Sequence, residues 1–280
     1  ELIEGFLLRY YGSASHVPRE VVLPGLPESP DVLAEWLSWL RGTNVKLGGP
    51  QRGEKRQLLD LGLQHNLPLP AKTLEELRPY VQVSTPQPGV MAFIEKFKWM
   101  TGVLVNYDAC RRIAYENVED ASREGIDYIE LRFSPWFMAE ANHLDPAGVV
   151  EAAADGAASG RRDFDISVGL IGILSRTYGP LTAALELDAL LQFKDKLVGL
   201  DLAGDEAHWP GDLFIEHFRK ARSAGWHITV HAGESAGAQS IWQAVRQLGA
   251  DRLGHAVRAI DDPALMDELA RLGVGIESNL

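Results

Sequence analysis

The chain has 280 residues, 46% hydrophobic and 24% charged, enough to bury a substantial core in one large or two small domains. Its formal net charge of −12 argues against nucleic acid or an anionic membrane surface as a partner. The single cysteine, Cys110, excludes an intrachain disulfide and any thiolate metal cluster, so a metal would have to be held by histidine and carboxylate.

Residues 1–56 read as a first segment. The run Phe6-Leu-Leu-Arg-Tyr-Tyr11 leads into a Pro/Gly-rich connector over 17–30, then a helix over 31–40 with an acidic cap. A strand over 43–47 ends at Gly48-Gly-Pro50. The basic run from Arg52 to Arg56 reads as a solvated turn, and no set of acidic residues here could hold a nuclease metal pair.

From residue 57 the pattern becomes regular. Helices are predicted near 57–65, 73–79, 89–98 and 106–124, with Cys110 a small buried apolar group in the last. Strands are predicted at 128–133, 166–174, 197–202, 226–230, 252–254 and 273–277, separated by helices near 145–160, 180–193, 211–224, 236–248 and 262–272. Asp145 before Pro146 and Asp262 before Pro263 supply N-caps. Strands alternating with helices imply parallel βαβ units. Six in a row, several with polar ends, fit an α/β fold of the (β/α)8 TIM-barrel type better than a doubly wound sheet.

Three strand ends carry the candidate chemistry. The stretch Gly225-Trp-His-Ile-Thr-Val-His-Ala-Gly-Glu234 delivers His231 and Glu234 where a buried strand stops, with the small Ala232 and Gly233 between them. The run 198–206 ends in Gly204, Asp205 and Glu206, and Arg252-Leu-Gly-His255 ends in His255. A lone histidine at a strand end is commonly hydrogen-bonded scaffolding, but three consecutive units ending this way mark a site. His16, His65, His143, His208, His217 and His227 read as structural or solvated, with pocket lining by His208 and Trp209, which follow the Gly204 loop, as the lesser alternative. The seven tryptophans read as core and loop anchors.

The region from 57 to the end resembles bacterial adenosine deaminase, a zinc hydrolase of the amidohydrolase superfamily. The matching stretches are Leu58-Leu-Asp-Leu-Gly-Leu-Gln-His-Asn-Leu-Pro-Leu-Pro70, Asp108-Ala-Cys-Arg-Arg112, Tyr128-Ile-Glu-Leu-Arg-Phe-Ser-Pro135, Leu200-Asp-Leu-Ala-Gly-Asp-Glu206, His231-Ala-Gly-Glu234 and Arg252-Leu-Gly-His255. The resemblance implies hydrolytic deamination of adenosine and 2′-deoxyadenosine, with Zn²⁺ as cofactor and a small purine nucleoside as substrate. It implies His231 as a zinc ligand, Glu234 as the acid that protonates purine N1, and His255 orienting the metal-bound hydroxide. The Gly204 backbone N–H would meet purine N3.

Two departures accompany the match. The family's first-strand His-x-His pair falls at Lys46 and Gly48, neither of which replaces it, and the sequence ends at Ser278-Asn-Leu280, before the last-strand Asp pair. The expectation is therefore an incomplete barrel, with open edges through which it could oligomerise. Residues 1–56 instead resemble the C subunit of the nucleotide-excision-repair excinuclease, on Phe6-Leu-Leu-Arg-Tyr-Tyr11, Val17-Pro-Arg-Glu-Val21, Val45-Lys-Leu47 and Pro50-Gln-Arg-Gly-Glu-Lys-Arg56. Two further readings are a non-catalytic barrel that binds a nucleoside or partner and a DNA-repair nuclease fragment. No apolar run has the length of a membrane span and Glu1-Leu-Ile-Glu-Gly5 lacks a basic leader, so cytoplasmic is the expected location.

Overall fold

Strands with alternating apolar and polar residues, each followed by a helix, organise the larger part of the computed structural model. It describes residues 7–9, 11–12, 17, 20–22, 30–48, 60–65, 67, 70–71, 73–81 and 95–277. The chain divides into two units, Glu1–Gly53 and Glu54–Leu280. The basic run 52–56, the helical starts predicted at 57–59 and 89–94, His16 and residues 278–280 lie outside the described residues.

In the first unit β1 (Glu20–Val22) pairs parallel with β2 (Lys46–Gly48), Val21 opposite Leu47. Between them runs α1 (Pro30–Arg41), whose Leu33 and Leu37, one turn apart, face a core of Leu7, Val17, Val21 and Val45. The connector expected over 17–30 thus contains a strand. Its three residues are too few to register against the surrounding prolines and glycines until β2 offers a ladder.

In the second unit α2 (Leu74–Val81), α3 (Lys98–Gly102) and α4 (Tyr107–Arg123) precede the sheet. The six strands are β3 (Tyr128–Phe133), β4 (Ser167–Ser175), β5 (Gly199–Ala203), β6 (His227–Ala232), β7 (Arg252–His255) and β8 (Gly275–Glu277). They lie in sequence order, every neighbouring pair parallel. The intervening helices are α5 (Pro135–Glu140) and α6 (Pro146–Phe164), α7 (Gly179–Leu191), α8 (Ile215–Ser223), α9 (Ala238–Arg246) and α10 (Pro263–Leu272). The expected caps form: Asp145 accepts from the Ala147 N–H at 3.0 Å and Asp262 from the Leu265 N–H at 3.2 Å. Helix α5 was not expected, though Ser134 caps it before Pro135 in the same way.

The two faces of the sheet differ because side chains alternate along each strand. Leu170, Leu174, Leu200, Leu202, Ile228, Val230 and Leu253 point to the helices and form the main core. A smaller cluster, with Cys110 fully buried as expected, packs among α2, α4 and α6. Glu130, Arg132, Asp201, Thr229, His231, Arg252 and Glu277 share the opposite face.

On that face Arg132 of β3 forms a salt bridge to Glu277 of β8. These are the two edge strands, five ladder steps apart. A flat sheet would separate them by about 24 Å, beyond the combined reach of arginine and glutamate. The sheet must therefore curl: it is an incomplete (β/α)8 barrel whose polar face is the interior.

Candidate functional site

The carboxyl ends of β5, β6 and β7 meet at one end of this interior. His231, on β6, turns Nδ1 toward the Asp201 carboxylate of β5, 3.1 Å from Oδ1 and 3.0 Å from Oδ2. Asp201 is fully buried and also takes an Arg132 N–H at 3.1 Å. Burial works against charge on Asp201, yet His231 and Arg132 hold its carboxyl below the ordinary range. Burial likewise works against the imidazolium of His231, and the Asp201 charge and hydrogen bond outweigh it and raise its pKa. The carboxylate fixes the ring through Nδ1 and leaves Nε2 as the available donor.

Beyond His231 the chain makes a tight turn around one acid. Gly233 has φ +73, and a Cβ there would come within 2.5 Å of Ile241 Cδ1, so glycine is required on two counts. The Glu206 carboxylate accepts N–H bonds from Gly233 at 2.6 Å, Glu234 at 3.1 Å, Ser235 at 2.9 Å and Ala236 at 3.0 Å. Burial pushes the Glu206 carboxyl up, but these donors and the Ser240 hydroxyl hold it below its ordinary value.

At the end of β7, His255 and Ala256 both take left-handed backbone, φ +64 and +51, which costs non-glycine residues strain. The Ala256 N–H donates to the Ala232 carbonyl at 3.0 Å and the Arg258 N–H to the Gly233 carbonyl at 3.1 Å, pinning this bend to the end of β6. The result sets His255 Nε2 3.6 Å from Glu234 Oε2, and the His255 and His231 rings 5.2 Å apart between centroids. The first distance is an ionic approach, too long for a hydrogen bond. Three of the predicted site residues thus stand together.

The fourth, Gly204, ends β5 with φ +113, and a Cβ on it would lie 2.4 Å from the Thr177 hydroxyl. It lines a cavity of about 730 Å³ together with Arg132, Ser134, Ser175, Thr177 and Tyr178. His231, Glu234 and His255 are not among the residues lining that cavity, which runs from Gly204 toward α4 and β3. His208 and Trp209 are also absent from its lining, so the lesser alternative for them does not hold for this cavity. His208 instead holds Asp205 at 2.8 Å with its side chain 79% exposed, because the turn after Gly204 points it outward. His217 donates its Nε2–H to the Pro180 carbonyl, 2.9 Å away, and His227 faces solvent, both as expected.

Asp201, Arg132 and Arg176 were missed by the sequence reading, and Glu206 was noted at its strand end without a role. The Arg176 guanidinium, 1% exposed, donates to the His231 carbonyl at 2.9 Å and the Trp209 carbonyl at 3.3 Å. The signal for Asp201 and Arg132 is positional: each is a charge at an alternate position of an otherwise apolar strand.

Among the described residues no group of three histidine, cysteine, aspartate or glutamate side chains is arranged to hold a metal ion. Lys46 and Gly48, to which the expected His-x-His pair was counted back, lie in β2 of the first unit. Catalytic zinc takes three protein ligands, and His231, with Nδ1 turned to Asp201, offers one. The described residues therefore do not fit a complete zinc site.

Residues 52–280 match the adenosine deaminase family model, and residues 1–66 match the model of the UvrC ribonuclease H-like domain. The adenosine deaminase of Salmonella paratyphi C is 57% identical over 223 residues, 80% of this chain and 67% of that protein. The chain belongs to the adenosine deaminase family. Among solved structures, the adenine deaminase of Arthrobacter aurescens superposes with TM-score 0.72 at 23% identity, over 79% of this chain and 66% of that one. An amidohydrolase of Burkholderia ambifaria, solved with bound zinc, gives 0.71 at 25% identity, over 79% and 60%. The chain thus spans about two thirds of its relatives' length, which agrees with an incomplete barrel.

Proposed function

We propose that the family-matched part of this chain handles a purine nucleoside for hydrolytic deamination, converting adenosine or 2′-deoxyadenosine and water to the inosine product and ammonia. The observation that carries this reading is the convergence of Glu234, His255 and His231 at the ends of β6 and β7. Glu234 acts as the acid toward purine N1. A proton at N1 draws electron density from C6 and opens it to attack by water. The Gly204 N–H meets N3, and His255, close to the Glu234 carboxylate, orients the attacking water.

Zinc belongs to this reading with His231 as its donor in this chain; further donors would have to come from outside the described residues. We assign the excinuclease-like segment to 1–56 and the deaminase-like part to 57–280, the location to the cytoplasm, and any self-association to the free edges of β3 and β8. Among the described residues no helix is long and apolar enough to cross a membrane. The missing donor group favours a second reading, a nucleoside-binding barrel without turnover.

The test follows adenosine deamination by the absorbance change from adenine to hypoxanthine, with added Zn²⁺, in the wild-type chain and in Glu234→Gln. The expected result is turnover that Glu234→Gln lowers by roughly 10²-fold or more. Undiminished turnover in that variant would overturn the assignment of Glu234, and adenosine binding without turnover would select the second reading.

A further inference from the structure

The loop that carries Glu234 is organised by a residue outside it. Glu206 is only 4% exposed, and its two oxygens receive four consecutive backbone N–H groups, from Gly233 to Ala236, with the Ser240 hydroxyl at 2.5 Å as a fifth donor. Consecutive N–H groups turned inward make a concavity suited to an anion, and here the anion is a side chain of the same protein. Such bonds are charge-assisted and directional, so they fix the turn more firmly than neutral partners would. The buried Arg176 guanidinium supplies positive charge near this carboxylate while it binds the His231 carbonyl.

We infer that Glu206 is a positioning residue for the deamination site, holding the 233–236 backbone so that the Glu234 carboxyl is aimed at the purine. Glu206 is two residues beyond Gly204, so one short segment leaving β5 sets both the N–H for purine N3 and the loop that brings the acid to N1. The spacing between the groups that meet N1 and N3, on either side of C2 in the six-membered ring, is thereby built into the β5–β6 pairing and this single carboxylate. This rests on Glu234 being the acid, and adds a device that keeps it in register.

The test combines amide hydrogen exchange with adenosine affinity in the intact chain. The variants are Glu206→Ala, Glu234→Gln and the double substitution, with Glu206→Gln and Glu206→Asp as milder changes. In Glu206→Ala the 233–236 amides are expected to exchange roughly tenfold faster, with the β4 and β5 amides unchanged. Adenosine affinity falls to the level of Glu234→Gln, and the double variant falls no further. Glu206→Asp, which keeps the charge, recovers part of the protection, and Glu206→Gln, with one acceptor oxygen, recovers less.

Unchanged exchange at 233–236 overturns the inference. So do additive losses in the double variant, which would make Glu206 a support of the fold at large. Absence of adenosine binding by the wild-type chain would overturn the deaminase reading instead, and hydrogen exchange would still decide whether Glu206 holds the loop.

Discussion

At the scale of single residues, position along a strand decides which polar groups are brought together at the candidate site. His231, Glu234, Gly204 and His255 were legible because each sits where a strand ends. Asp201 and Arg132 were not, because a charge inside an apolar run declares its role only when the strand's two faces are assigned. Glu206 was hidden for another reason: its partners are backbone N–H groups, which no sequence pattern marks. Gly204 gives the sharpest prediction here. Alanine at this position would carry a φ of +113 and a Cβ 2.4 Å from the Thr177 hydroxyl, which accepts the Asp205 N–H at 3.0 Å. Gly204→Ala is expected to destabilise the fold by about 1–3 kcal/mol and to weaken adenosine binding. Denaturant midpoints and calorimetric titration measure the two effects separately; wild-type values for both would show that the backbone at 204 relaxes freely.

At the scale of elements, local signals were read best where side chains cap or alternate. The strand at 128–133 and the helices opening at Pro146 and Pro263 follow directly from alternation and from aspartate caps. Helix α5 is short, and β1 depends on a partner distant in sequence, so neither carries a local signal of sufficient length. One buried acid ties several of these elements together. Glu186 on α7 is fully buried, accepting the Ser134 hydroxyl at 2.5 Å, the Trp136 N–H at 3.2 Å and the Ser175 N–H at 2.7 Å. It thereby joins the ends of β3 and β4 to the helix behind them. Burial pushes its carboxyl up from 4.5 to about 7, with the three donors opposing that shift.

The sign of the pH effect follows from this raised value. Between pH 4.5 and 7 the folded chain binds a proton that the unfolded chain has lost. Stability is thus highest below that window and declines across it, by about 3 kcal/mol in total. Glu186→Gln stays neutral throughout. The difference in unfolding free energy between wild type and variant should therefore slope from pH 4.5 to 7 and flatten above it. A pH-independent difference would show that the three donors keep Glu186 ionised.

At the scale of the whole molecule, the incomplete barrel is held in its curl by charge across its interior. Hydrophobic patterning foretold six of its strands, but their curvature became visible only through side chains bridging non-adjacent strands. Arg132 reaches Asp201 on β5 and Glu277 on β8, and Arg252 on β7 reaches Glu277 at 3.0 Å and Glu130 on β3 at 2.6 Å. Two arginines and three carboxylates thus link both edges of the sheet through its hollow side. Removing one partner from such a network leaves the others desolvated without compensation. Arg132→Leu is expected to cost about 3 kcal/mol, chiefly because the fully buried Asp201 loses the guanidinium that donates to it and keeps the His231 contact and the more distant charge of Arg176. Adding Glu277→Gln removes one orphaned charge, so the double variant should be less destabilised than the sum of the two single changes. Chemical denaturation of the four chains measures this coupling. Strict additivity would mean that solvent in the open interior already screens the network, and that the helix-facing core alone sets the curvature of the sheet.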